Sequence, residues 1–200
     1  MSIYALNQTT APAAEPVTAA EAKLHVKQDS AADDAIFTRL IEAARDKVES
    51  DTGRQLITAD WTLGLQSFPK EILFPYPKLQ AVITPTYIDT AGDSQSLAAS
   101  VYQVDALSEP GRMREAHGQT WPGTRDDYNA VSIVYRCGYG LSGASVPEGL
   151  KQAMLLLIGH WYENREAVLV GTISKEIELS YNALVSPYKV GWLWYAVGNT

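Results

Sequence analysis

A catalytic or metal centre in this chain would draw on three histidines and one cysteine, with carboxylates, arginines and tryptophans beside them. The densest grouping is "HWYENRE", residues 160 to 166, at the end of an apolar run. His160 and Glu163 stand three residues apart. That resembles the Glu-x-x-His spacing of di-iron helix bundles, with the order reversed. A metal site needs three or four ligands, and neither His25 nor His117 brings a second His, Cys or carboxylate at matching spacing. We therefore expect His160 to be structural, with no metal and no cofactor. Cys137, being alone, excludes an intramolecular disulfide and a cysteine-built zinc site within one chain.

Nucleophilic and phosphate chemistry find no support either. There is no G-x-S-x-G elbow and no GxxxxGK[ST] phosphate loop. The glycine-rich "CGYGLSG", residues 137 to 143, contains no lysine and opens no helix directly, so it reads as a strand exit and connector. Arg112, Arg114 and Arg125 suit a solvated strand edge, where charge is common. Trp121-Pro122-Gly123 reads as a loop anchor. The best case for an enzyme or small-ligand module would gather Trp121, Arg112 and His117 around a pocket in the β-rich region.

The elements that would hold these residues can be read from pattern. Residues 1 to 16 are rich in Ala, Thr and Pro without a period and read as an arm. Thr18-Ala-Ala-Glu21 is a capping-box pattern opening a short helix to about Lys27. Ser30 marks a second start, with Asp33 and Asp34 complementing the dipole of the helix that follows. Phe37, Leu40, Ile41, Ala44 and Val48 give that helix one apolar stripe, ending near Gly53. From Gln55 to about Tyr139, short runs of β-branched and aromatic residues alternate with Pro and Gly, predicting five to seven strands in a small barrel or sandwich. Ala91-Gly92-Asp93 is a turn between two of them.

Pro147 and Glu148 start another helix, with Pro in its favoured first position. Leu150, Met154, Leu157, Ile158 and Trp161 form its core stripe. At about 100° per residue, Leu155 and Leu156 point away from that stripe. Two apolar sides on one helix predict a second neighbour, which we take to be another subunit. His160 and Glu163 flank the Leu156 side, whereas Arg165 shares the core side and suits the helix C-terminus as a cation. A short helix is expected around Tyr181 to Ser186. Beyond it, Trp192, Trp194 and Tyr195 make a terminal aromatic cluster that needs a docking partner, because undocked chain ends are usually polar.

Two hundred residues with 46% hydrophobic content suffice for one sizeable core, with room for a satellite. The net charge of −7 and pI near 4.9 remove the basic footprint of a high-affinity nucleic-acid binder. The start of the chain lacks the features of a signal peptide, and no apolar run reaches the roughly 18 residues of a membrane span. A soluble, cytosolic chain is the expectation.

The order of the pieces resembles a known family. "PVTAAEAKLHV" (16–26), "DDAIFTRLIEAARDKVESDTGR" (33–54), "FPYPKLQAVITPTYID" (74–89), "YQVD" (102–105), "VYRCGYG" (134–140), "VPEGLKQAMLLLIGHWYENREAV" (146–168) and "LVSPY" (184–188) together resemble the head–tail connector proteins of tailed bacteriophages. The resemblance implies an α+β fold: a small helical bundle from residues 17–54 and 146–188, with a β-rich insertion at 55–145. The arm at 1–16 and the tail at 189–200, which we expect to dock on a partner, lie outside the resemblance. It further implies a non-enzymatic virion protein at the head–tail junction, made in the bacterial host cytoplasm. Such a protein forms a ring with copies of itself, typically dodecameric, under the portal protein. It meets a tail-side connector, stopper or tail terminator protein, and lets DNA pass without sequence-specific binding. Leu155, Leu156, His160, Glu163, Trp192, Trp194 and Tyr195 are then candidate subunit or portal contacts.

Overall fold

The computed structural model describes residues 4–164 and 175–190. They form an α+β chain of two compact units. Of the described residues, one unit holds 13–57, 139–164 and 175–189, and the other holds 4–12, 58–138 and 190.

The first unit is helical. α1 (Ala19–His25) opens on the expected capping box: the Thr18 hydroxyl accepts from the Glu21 amide at 3.2 Å, and the Glu21 carboxylate accepts from the Thr18 amide at 2.7 Å. Ser30 caps a 3-10 turn at Ala31–Asp33 rather than the long helix itself. α2 (Asp34–Thr52) follows, buries Phe37, Ile41, Ala44 and Val48, and stops at Gly53, whose φ of 69° a side chain would resist. In α3 (Glu148–Glu163), Pro147 is the residue before the first turn, one position earlier than expected. α4 (Lys175–Val185) starts before the expected Tyr181, and a 3-10 turn at Ser186–Tyr188 ends the bundle. Leu150, Met154, Leu157 and Ile158 of α3 join the α2 stripe, Tyr181 and Val185 in one core.

At the end of α2 a carboxylate holds the chain reversal. Glu49 accepts from the Leu56 amide at 2.8 Å and from Gln55 Nε2 at 2.7 Å. Burial, only partly opposed by the Leu56 bond and the Arg45 charge, pushes its pKa from 4.5 up to about 7; Asp46 and Glu15 push the same way. A folded pKa above the unfolded one means stability that is complete below pH 4.5 and lost as pH rises through about 7. Glu49→Gln keeps an acceptor oxygen and removes the buried charge. Urea unfolding at pH 8 should therefore find E49Q more stable than the parent chain by about 1–2 kcal/mol, and the gain should vanish near pH 4.

The second unit contains two antiparallel sheets. β1 (Tyr4–Thr10), β2 (Ala59–Leu65), β8 (Val131–Cys137), β4 (Leu79–Ile88) and β5 (Ser94–Ser96) form one, in that order. β3 (Ile72–Leu73), β7 (Arg112–Glu115) and β6 (Tyr102–Asp105) form the other. Leu63, Val131, Ile133 and Tyr135 of the first sheet share a core with Ile72 and Met113 of the second. The expected turn joins β4 to β5: the Asp89 carboxylate accepts from the Ala91 and Asp93 amides, and Gly92 has φ 98°. Where the sequence suggests an arm, Tyr4–Thr10 instead pair with β2, from Tyr4 opposite Leu65 to Gln8 opposite Trp61. That strand carries no apolar alternation because only Leu6 of it packs against the core.

Candidate subunit interface

The residues singled out for chemistry do not converge. His160 is half-buried near the end of α3, and its carbonyl accepts from the Asn164 amide at 3.1 Å and side chain at 2.8 Å. Glu163 is exposed beside it. Among the described residues no group of three His, Cys, Asp or Glu is placed to hold a metal ion. Cys137 is buried in the β core.

In the β-rich region Trp121, Arg112 and His117 are engaged separately. Trp121 stacks on Phe68 with centroids 4.7 Å apart, donates from Nε1 to the Pro69 carbonyl, and takes the Glu115 carboxylate on its amide. It is the loop anchor its sequence suggests. Arg112 pairs with Asp105 at 3.0 Å and Glu71 at 3.8 Å on the exposed face of the small sheet; it and Arg114 lie on β7, the central strand between β3 and β6, which corrects the expected strand edge to an exposed sheet face. Asp105 also caps the β6–β7 turn, accepting from Ser108 and Leu107; those bonds and Arg112 hold its carboxyl well below the usual range. His117 is exposed in the loop after β7. A shallow depression of about 140 Å³ is lined by Glu71, Gln103, Asp105, Arg112 and Arg114, without Trp121 or His117.

Within residues 160–164, Trp161 and Tyr162 serve packing instead. Tyr162 stacks on Phe37 at 4.7 Å, accepts from Gln28 Nε2 at 2.8 Å and donates to Asp33 at 2.6 Å, so it ties the end of α3 to the α1–α2 connection. Sequence reasoning passed over this residue; its spacing of four from Ile158 on the core stripe was the available signal. α1 packs beside Gly159, where a Cβ would meet His25 and Val26 at the ordinary contact distances of 3.4 and 3.7 Å.

Of the two leucines assigned to a neighbour, Leu155 is partly buried and packs on its own core, which corrects its placement on a wholly outward side. The core spans a wider arc of α3 than the five-residue stripe, because α1 and α4 both flank it. Leu156 is half-buried and lies outside that core. Trp192, Trp194 and Tyr195, with Arg165, lie outside the described residues. What precedes the tail is firmly held. Arg54, buried over the Tyr139 ring at 5.9 Å, donates to the Tyr188 carbonyl at 2.5 Å, while the Tyr188 ring packs on Gly149.

With no metal-ligating group of three among the described residues and with helix faces beyond the core, the chain invites comparison as a whole. A chain in the neck of an empty gene transfer agent (GTA) particle, computed with C6 symmetry, matches with a TM-score of 0.76 and 24% identity, covering 93% of this chain and 95% of that one. The fold is that of a particle-neck chain. A chain in the virion of the native GTA particle matches over 92% and 95% with a TM-score of 0.74 and 24% identity. One in the native neck, computed with C12 symmetry, covers 93% and 95% with a TM-score of 0.71 and 26% identity. No protein-family model and no curated protein sequence matches the chain.

Proposed function

We propose that this chain is a structural subunit of the head–tail junction of a tailed, phage-like particle. It forms a ring of identical copies beneath the portal, extends the channel for DNA and presents its far side to a tail-side connector, stopper or tail terminator protein. The supporting observation is the whole-length agreement in fold with neck chains of GTA particles, including one computed with C12 symmetry. The resemblance of the sequence to head–tail connectors points the same way. Its role is architectural: partner binding and channel wall, not turnover. The net charge of −7 fits a wall past which DNA must slide, since a basic wall would exchange counterions for phosphates and retain the duplex. Leu156, His160 and Glu163 at the end of α3 meet a neighbouring copy, and the terminal Trp192, Trp194 and Tyr195 dock on the portal or on that neighbour.

Sedimentation of the purified chain with and without the portal ring, together with reconstruction of whole particles, tests this. The expected result is a stoichiometric complex with the portal and ring density between head and tail that this fold fits. A chain that never co-sediments with portal and is missing from particles would overturn the assignment.

A further inference from the structure

The five-stranded sheet ends in two open edges. Among the described residues no strand pairs with the outer side of β1, and β5 covers β4 only from Thr86 to Ile88, leaving residues 79–84 uncovered. Exposed edges are normally blunted by charge or proline, because their unpaired amides and carbonyls recruit other strands. "YALNQTT" and "LQAVIT" contain no charged residue and no proline; their only irregularities are register shifts between Gln8 and Thr10 in β1 and between Leu79 and Ala81 and Ile83 and Thr86 in β4, which leave Tyr4–Gln8 and Ala81–Ile83 in regular register. Lys78 and Pro85 stand just outside the second segment, so the exposed edge is bracketed rather than guarded.

The strand directions are compatible with continuation. β1–β2, β2–β8 and β8–β4 are all antiparallel, so β1 and β4 run in opposite senses on opposite flanks of one sheet. A rotation that carries one copy toward the next in a ring of many subunits turns strand directions only modestly. The β1 edge of one copy would then face the β4 edge of its neighbour antiparallel, the more stable pairing. A rotationally symmetric ring requires such a head-to-tail contact between two different surfaces, which a sheet with two unlike open edges provides.

The outer face along these edges is also free of uncompensated charge. Asn7, Thr62, Val134 and Ile83 lie in one cross-strand row, and Ala5, Gly64, Ser132 and Thr86 in the next. The adjoining row contains Asp60 and Arg136, which neutralise each other in a bidentate pair at 2.7 and 2.9 Å. Ile83, 37% exposed, and Asn7 end their row at the two open edges.

We infer that neighbouring copies of this chain pair β1 of one with residues 79–84 of β4 of the next, joining their sheets around the ring. The inference rests on the ring assembly proposed above and adds a contact that assembly alone does not specify. Facing residues in antiparallel strands lie about 4.5–5.5 Å apart at Cα, within disulfide reach. Asn7→Cys with Ile83→Cys, and Asn7→Cys with Ala81→Cys for a register shifted by two, are therefore the informative double variants. All three positions are exposed, so the fold should tolerate them. After mild oxidation of isolated particles, one double variant should give a ladder of covalent multimers on a non-reducing gel, while the single variants stay monomeric. Amide exchange across residues 80–84 should slow at least tenfold between the isolated chain and the assembled ring. Particles that hold the chain at normal occupancy yet show neither ladder nor protection would overturn the pairing and leave the head–tail role standing. Absence of the chain from particles would remove that role, and the pairing with it.

Discussion

Truncation after Val190 is expected to leave a folded chain that no longer completes particles. The cut lies beyond the last contacts that hold the helical unit: the Arg54 bond to the Tyr188 carbonyl and the seat of the Tyr188 ring on Gly149. Starting the deletion at residue 189, the boundary suggested by sequence, would also remove Lys189 and the buried Val190. Residues 191–200 contain Trp192, Trp194 and Tyr195, a cluster whose size suits the aromatic anchors that dominate binding energies at interfaces. Loss of such anchors costs several kcal/mol in typical interfaces, enough for at least a hundredfold loss of affinity. The measurement is paired: urea unfolding of the truncated chain should stay within about 1 kcal/mol of the parent, and the yield of tailed particles should fall at least tenfold. Insoluble truncated protein would place those aromatics in the monomer's own core and withdraw them from the interface.

How far the sequence speaks depends on whether a feature is local. The capping box at Thr18 and Glu21 and the Gly53 stop are decided within one turn of backbone, and both stand in the structure as read. The apolar stripes of α2 and α3 are nearly as local, since a period of 3.6 residues states which face must be buried. β1 was hidden for the opposite reason. Tyr4–Thr10 become a strand only because β2, distant in sequence, offers a ladder running from Tyr4 opposite Leu65 to Thr10 opposite Asp60, and a strand that buries little needs no alternation. The burial and raised pKa of Glu49 were equally illegible, because they arise from the reversal after Gly53, which takes the carboxyl out of water, and from the charges of Asp46 and Glu15, against the pull of Arg45. The candidate contacts are the hardest case. Whether Leu156 is surface or interface is settled by a second chain, which no intrachain pattern encodes.

Adjacent substitutions on α3 separate those possibilities. Leu157 has no exposed surface and sits in the helical core; Leu156, its neighbour in sequence, is half-buried and outside that core. Leu157→Glu would bury an unpaired charge among Leu150, Met154 and Ile158, at a cost of about 4 kcal/mol or more, a large part of a typical domain's stability. It should accumulate as unfolded or insoluble protein. Leu156→Glu can turn its carboxylate to water, so its cost to unfolding should be about 1 kcal/mol or less. If this flank meets a neighbouring copy, the same carboxylate becomes desolvated on assembly, and rings should fail to form from a folded monomer. Circular dichroism melts read the first quantity and sedimentation velocity with the portal reads the second. Rings from Leu156→Glu at the parental yield would move the contact off this flank of α3. A melt as low as that of Leu157→Glu would assign Leu156 to the fold instead.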